Sequence, residues 1–120
     1  MQTLDDFTLA YIECALWSSN DESTPEGGVP LDSNYGIHDL HPDALAAITD
    51  DCRKFQKEHA ADISGDLSAA GHDFWLTRNG HGAGFWDGDW PKDAGDRLTA
   101  ASEKLGEVYL YVGDDGKLYV

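Results

Sequence analysis

The sequence predicts an α+β domain: a small antiparallel β-sheet of two hairpins packed with three main helices, in the order α-α-β-β-α-β-β. Three observations predict it. Apolar residues recur at helical spacing in residues 4–18, 41–59 and 90–106, the period turns to alternation after residue 71, and Asn79-Gly80 and Asp114-Asp115-Gly116 are hairpin turn signals. With 41% hydrophobic residues in a length of 120, the chain can bury one core, so 1–120 reads as a single domain.

Taken in order, "LDDFTLAYIECALWS" (4–18) carries Leu4, Phe7, Tyr11 and Cys14, and also Leu9, Ile12 and Leu16. Only a narrow polar strip remains around Asp6 and Glu13, which predicts a helix buried on two sides at the centre of the core. Asp5 and Asp6 suit the positive end of its dipole. Residues 18–41 have no period and are rich in Ser, Asn, Asp, Gly and Pro, so they read as a long acidic loop of the kind that often carries function. Pro42 then opens a helix through residue 59 with Leu45, Ile48, Cys52, Phe55 and His59 on one stripe, and a short helical continuation through 62–71 ends at Gly71 as a cap.

Residues 72–77 and 83–87 read as strands joined across "RNGHGA". "WPKDAGDRLTAASEKLG" (90–106) reads as a helix with Leu98, Ala101 and Leu105 inward and Gly106 closing it. Residues 107–120 give the second hairpin, with Val108, Leu110, Val112, Leu118 and Val120 on one face and Tyr109, Tyr111 and Tyr119 on the other. In the first hairpin Phe74, Leu76 and Phe85 oppose Trp75, Thr77 and Trp86. If the two hairpins join, one face is aliphatic and the other presents Trp and Tyr, either covered by Trp17 and Tyr35 or open to a partner or a second copy.

Charge is the most informative property. The chain has 23 acids against 8 bases, a formal net charge of −15. Residues 1–52 hold eleven of those acids and no Lys or Arg. Direct nucleic-acid binding needs the opposite sign, because it rests on Lys and Arg displacing counterions from phosphates. Strong acidity favours encounters with basic surfaces instead, with solubility alone as the plainer reading. The acids of the predicted loop and the turn after it, Asp21, Glu22, Glu26, Asp32, Asp39 and Asp43, are the candidate partner-binding residues. A secondary surface would use Trp75, Arg78, His81, Trp86, Tyr109 and Tyr111.

No catalytic residues, cofactor or metal are predicted. Gly80, Gly82 and Gly84 lie between predicted strands and not at a helix start, so a phosphate loop fits poorly. His38 and His41 with Asp39 and Asp43 make a weak metal pattern, and Asp87, Asp89 and Asp93 lack the Gly and Glu of an EF-hand loop. Arg78 and His81 would make an acid–base pair only beside a pocket. Cys14 and Cys52 each continue an apolar stripe, which predicts buried free thiols and a reducing compartment, although two cysteines can also form one disulfide. The acidic start, "MQTLDDFTLAYIE", does not resemble a signal peptide and no apolar run is long enough to span a bilayer, so a cytoplasmic protein with no membrane partner is expected.

The segments "ALWSSNDE" (15–22), "FWLTRNGHGAGFWD" (74–87), "GDRLTAASEKLGE" (95–107) and "LYVGDDG" (110–116) resemble a family of small acidic proteins of bacteriophages and prophages. The resemblance brings no catalytic residues. It implies a bacterial host cytoplasm and an inhibitor of host nucleic-acid enzymes, anti-CRISPR or anti-restriction in type, that binds a basic host protein and imitates the charge of DNA. A dimeric assembly accessory using the aromatic sheet face, or a small enzyme using Arg78 and His81, are the alternatives.

Overall fold

The computed structural model describes residues 4–22, 28–80, 84–86 and 90–120. The domain is α+β and mostly helical. Helix α1 (Asp6–Ser18) leads into a short hairpin of β1 (Asn20–Asp21) and β2 (Val29–Pro30), followed by two 3-10 turns. Helices α2 (Pro42–Ile63), α3 (Leu67–Arg78) and α4 (Lys92–Leu105) come next, and β3 (Tyr111–Val112) and β4 (Leu118–Tyr119) close the chain. Each pair of strands forms its own antiparallel sheet, with Asp21 opposite Val29 and Val112 opposite Leu118.

Most helix boundaries have local causes. Asp5 caps α1 by accepting from the Thr8 N–H at 2.8 Å. His41 Nδ1 caps α2 from outside, and Pro42 occupies its first turn, where a missing N–H costs nothing. Gly106, at φ 81°, closes α4 as expected. The stripe Ile48, Cys52 and Phe55 faces the core, with Leu45 and His59 at its margin. Leu98 is buried and Ala101 packs against the core, but Leu105, expected inward, is exposed as the last residue of α4.

The main correction concerns residues 72–77. They are not a strand but the second half of α3, which is capped by Asp66, whose carboxylate accepts from the Ala69 N–H at 3.0 Å. Phe74, Trp75 and Leu76 are all buried, so α3 joins α1 at the centre of the core; α1 itself buries seven of its 13 residues and leaves Asp6 and Glu13 exposed, as its pattern predicts. Because Asp73 and Thr77 are buried beside Phe74, Trp75 and Leu76, the segment has no wet face whose period would separate a buried helix from a buried strand. Gly71, expected as a cap, lies inside α3 at its crossing with α1. A Cβ there would collide with the backbone of Phe7, and its absence lets the two helices approach closely.

Asn79-Gly80 correspondingly ends a helix instead of turning a hairpin. Asn79 is the C-cap of α3 and Gly80 takes φ 67°. The second predicted strand, 83–87, is a turn at residues 84–86, with its flanks outside the described residues. Its Phe85 does reach the core, stacked on Phe55 at 5.9 Å, while its N–H donates to Thr77 Oγ1 at 3.2 Å. Only the C-terminal hairpin is where alternation puts it: Leu110 and Leu118 are buried, Val108 and Val112 pack on the core, and Tyr109 and Tyr111 face out. Val120, expected inward, is exposed. The other hairpin arises within the predicted acidic loop, so the two hairpins do not join into one sheet.

Phe7, Tyr11, Phe55, Phe74 and Phe85 form the aromatic centre of the core, with Phe55 stacked on Phe74 at 4.1 Å. Cys14 and Cys52 are buried free thiols. No helix of the described residues is long and apolar enough to cross a membrane.

Candidate functional site

Arg78 and Trp75 belong to the interior. Arg78 is 6% exposed and its guanidinium lies 5.3 Å from the centre of the Phe74 ring. Its Nη1 donates to Asp51 Oδ2 at 2.9 Å and to the Tyr11 hydroxyl at 3.2 Å, and its Nε donates to the Gly106 carbonyl at 3.0 Å. One cation thus ties α1, α2 and the end of α4 to α3. Burial pushes the Tyr11 hydroxyl well above its ordinary value, an effect the nearby guanidinium only partly offsets. These bonds account for Arg78 as a structural residue. His81, its predicted acid–base companion, lies outside the described residues, as does Glu26.

The predicted acids fall into three groups. Glu22, Asp32 and Asp43 are exposed. Asp21 is 6% exposed, facing inward from β1. Asp39 turns back on its own 3-10 turn, where its carboxylate accepts from the Gly36 N–H at 2.8 Å. The six therefore do not make one outward row. Several of the chain's bases are also spent: Lys54 pairs with Asp50, Lys92 with Asp96, Arg97 with Asp62 and Arg78 with Asp51. The Arg97 bond to Asp62 holds that carboxyl below the usual range. Among the described residues, no group of three or more His, Cys, Asp and Glu is placed to hold a metal ion.

The candidate site lies elsewhere, in a concavity of the surface. A groove of about 580 Å³ runs between the segment leaving α1, Ser18 to Glu22, and the segment entering β3, Glu107 to Val112. Helix α3 is bonded to both walls. The Trp75 indole N–H donates to Ser18 Oγ at 2.7 Å, and Asn79 Oδ1 accepts from the Val108 N–H at 2.9 Å while its Nδ2 donates to the Trp75 carbonyl. Trp75 is only 2% exposed, whereas Tyr109 and Tyr111 are 79% and 49% exposed.

A shallower depression of about 460 Å³ shares Tyr111 and Val112 with the groove and continues over the hairpin turn, past Asp114, Asp115 and Tyr119. The Tyr119 hydroxyl donates to Asp115 Oδ2 at 2.7 Å, which raises the hydroxyl to about 12 and lowers the carboxyl. Among the described residues lining the two depressions, the ionisable ones are Glu22, Glu107, Asp114, Asp115 and tyrosines, with no Lys, Arg or His.

Sequence reasoning reached Tyr109 and Tyr111 through strand alternation and Glu22 through the unbalanced charge. It missed Glu107, Asn79 and Ser18. Their signal is a polar residue at each helix end, which announces a cap and says nothing of the groove that two such ends enclose. Trp86 is exposed, as expected of the secondary surface, but it sits on the turn beside Thr77 and does not line the groove.

Compared with known proteins, the chain matches no family model, no curated protein and no solved structure.

Proposed function

We propose that the protein is a non-enzymatic binding protein whose partner is a basic, nucleic-acid-binding protein, and that it acts as an inhibitor of a host defence enzyme of the CRISPR or restriction type. The observation that carries this reading is the charge distribution: residues 1–52 place eleven carboxylates and no Lys or Arg on one half of a chain of net charge −15. A field of that sign raises the encounter rate with cationic clefts and repels nucleic acid. The phage and bacterial-cytoplasm setting comes from the resemblance of the chain's motifs. Asp21 is buried and Asp39 is committed to a backbone N–H, so the reading rests on the field of the acidic half and not on imitation of DNA phosphate by phosphate.

The test is a cleavage assay with purified restriction and CRISPR nucleases, with the protein added over a range of salt. The expected result is inhibition of at least one enzyme, relieved as salt rises and weakened by the triple substitution Glu22→Lys, Asp32→Lys and Asp43→Lys. Inhibition indifferent to both salt and charge reversal, or none across the panel, overturns the reading.

A further inference from the structure

We propose that the groove between Ser18–Glu22 and Glu107–Val112 docks an extended segment of the basic partner through an arginine side chain. The inference rests on the reading above that the partner is a basic protein, and it names the surface and the residue chemistry that engage it. Four observations converge on it.

The first is space. About 580 Å³ is within the range of pockets that bury a ligand's functional group, and the adjoining depression extends the path along the hairpin. The second is charge: the described lining offers carboxylates at Glu22, Glu107 and Asp114 and no cation. An anionic or neutral occupant would leave these uncompensated, whereas a guanidinium accepts the planar, two-pronged contact that a carboxylate provides.

The third is the pair of rings. Among the described residues Tyr109 is the most exposed large hydrophobic side chain, and Tyr111 stands two residues on, on the same side of the strand. Rings held in water beside carboxylates form a half-built cation–π site, which arginine completes better than lysine because its flat head stacks. The fourth is backbone geometry. Strands β1 and β3 lie too close together for a third strand to enter between them, so the docked segment lies extended along the groove walled by Ser18 to Glu22 and Glu107 to Val112.

The probe is a fluorescein-labelled peptide of alternating arginine and glycine, followed by anisotropy against the whole chain. Its counterparts carry lysine, or citrulline, which keeps the shape of arginine without the charge. Saturable 1:1 binding is expected, with lysine weaker and citrulline weaker by at least about 10-fold. Tyr109→Ala, and separately Glu22→Gln with Glu107→Gln, should each weaken the arginine peptide by about 10-fold. Asp32→Asn with Asp43→Asn, outside the groove, should leave the peptide affinity within about 2-fold at physiological salt.

An unchanged thermal melt shows that Tyr109→Ala still folds, as its exposure leads one to expect. Equal binding of citrulline and arginine, equal binding by Tyr109→Ala and the parent, or no peptide binding overturns the proposal. So does a dimer in solution that Tyr109→Ala dissociates, since a second copy would then fill the groove. The two readings separate in the nuclease assay: salt-sensitive inhibition that survives Tyr109→Ala removes the groove and leaves the basic-partner reading standing.

Discussion

Arg78 and Asp51 meet at 2.9 Å across the packing of α3 on α2, with the arginine side chain 5% exposed and the aspartate 39% exposed. The pair is lopsided: the cation is sealed in while its partner keeps access to water. Removing the partner is therefore the harsher change, because the guanidinium stays behind.

Asp51→Ala should destabilise the fold by about 2–3 kcal/mol, at or below the foot of the roughly 3–5 kcal/mol range for breaking a fully buried pair, because water already reaches the aspartate. Arg78→Met together with Asp51→Ala should cost less than the sum of the two single changes by at least about 1 kcal/mol. Urea denaturation of the parent, both single variants and the double variant measures this coupling. A sum within error of additivity would mean that the contact contributes no interaction of its own.

Gly71→Ala should be among the most damaging single-methyl additions in the chain. The new Cβ would meet the Phe7 backbone, which belongs to α1 and cannot rotate away as a side chain would. Forcing α1 and α3 apart should cost about 2 kcal/mol or more, above the ordinary overpacking minimum. Gly65→Ala, with open space around it, should be close to neutral. Thermal melts of the two variants side by side separate crowding from the generic effect of replacing glycine.

Alkaline pH should unfold the protein through its buried acids. Burial raises the Cys14 and Cys52 thiols to about 12, and pushes Tyr11 up as well. A raised folded value means that the stabilisation is complete below the unfolded value, near 9 for the thiols, and is lost as pH climbs toward the folded one. Each group that titrates only in the unfolded chain removes up to about 1.4 kcal/mol per pH unit. Stability measured in urea should hold at pH 8 and fall steadily between pH 9 and 12. At pH 8 a thiol reagent such as 5,5′-dithiobis(2-nitrobenzoate) should leave both cysteines unlabelled until denaturant is added; prompt labelling of the folded chain would contradict their burial.

The sequence shows most clearly those elements that have one wet side. Helix α2 alternates a core stripe with Asp50, Lys54 and Lys57, and residues 108–112, running into β3, alternate Val108, Leu110 and Val112 with Tyr109 and Tyr111, so water imposes a period on each. Helix α3 has no such side along Asp73 to Arg78, where even Asp73, Thr77 and Arg78 are buried, so its polar residues mark no wet face and a strand explains the pattern equally well. The Asn-Gly pair compounded the ambiguity, since a residue tolerant of positive φ serves a helix end as readily as a hairpin. Strands β1 and β2 are two residues each and, unlike β3, continue no alternating run in the sequence around them.

The site was legible by halves. Tyrosine placement follows from alternation along one strand, and acidity from simple counting. That Glu22 and Glu107, 85 positions apart, share one groove depends on how α1 and α4 end, which no local pattern records.

The hydrogen bonds from Trp75 and Asn79 have a kinetic meaning. Both walls of the groove are fastened to the most enclosed helix of the fold, so an incoming segment meets a surface that has already paid its ordering entropy. Association should therefore proceed at the rate of a charge-steered collision, with no slow step that rearranges the receptor. Differences in affinity among ligands should appear almost wholly in how long each one stays.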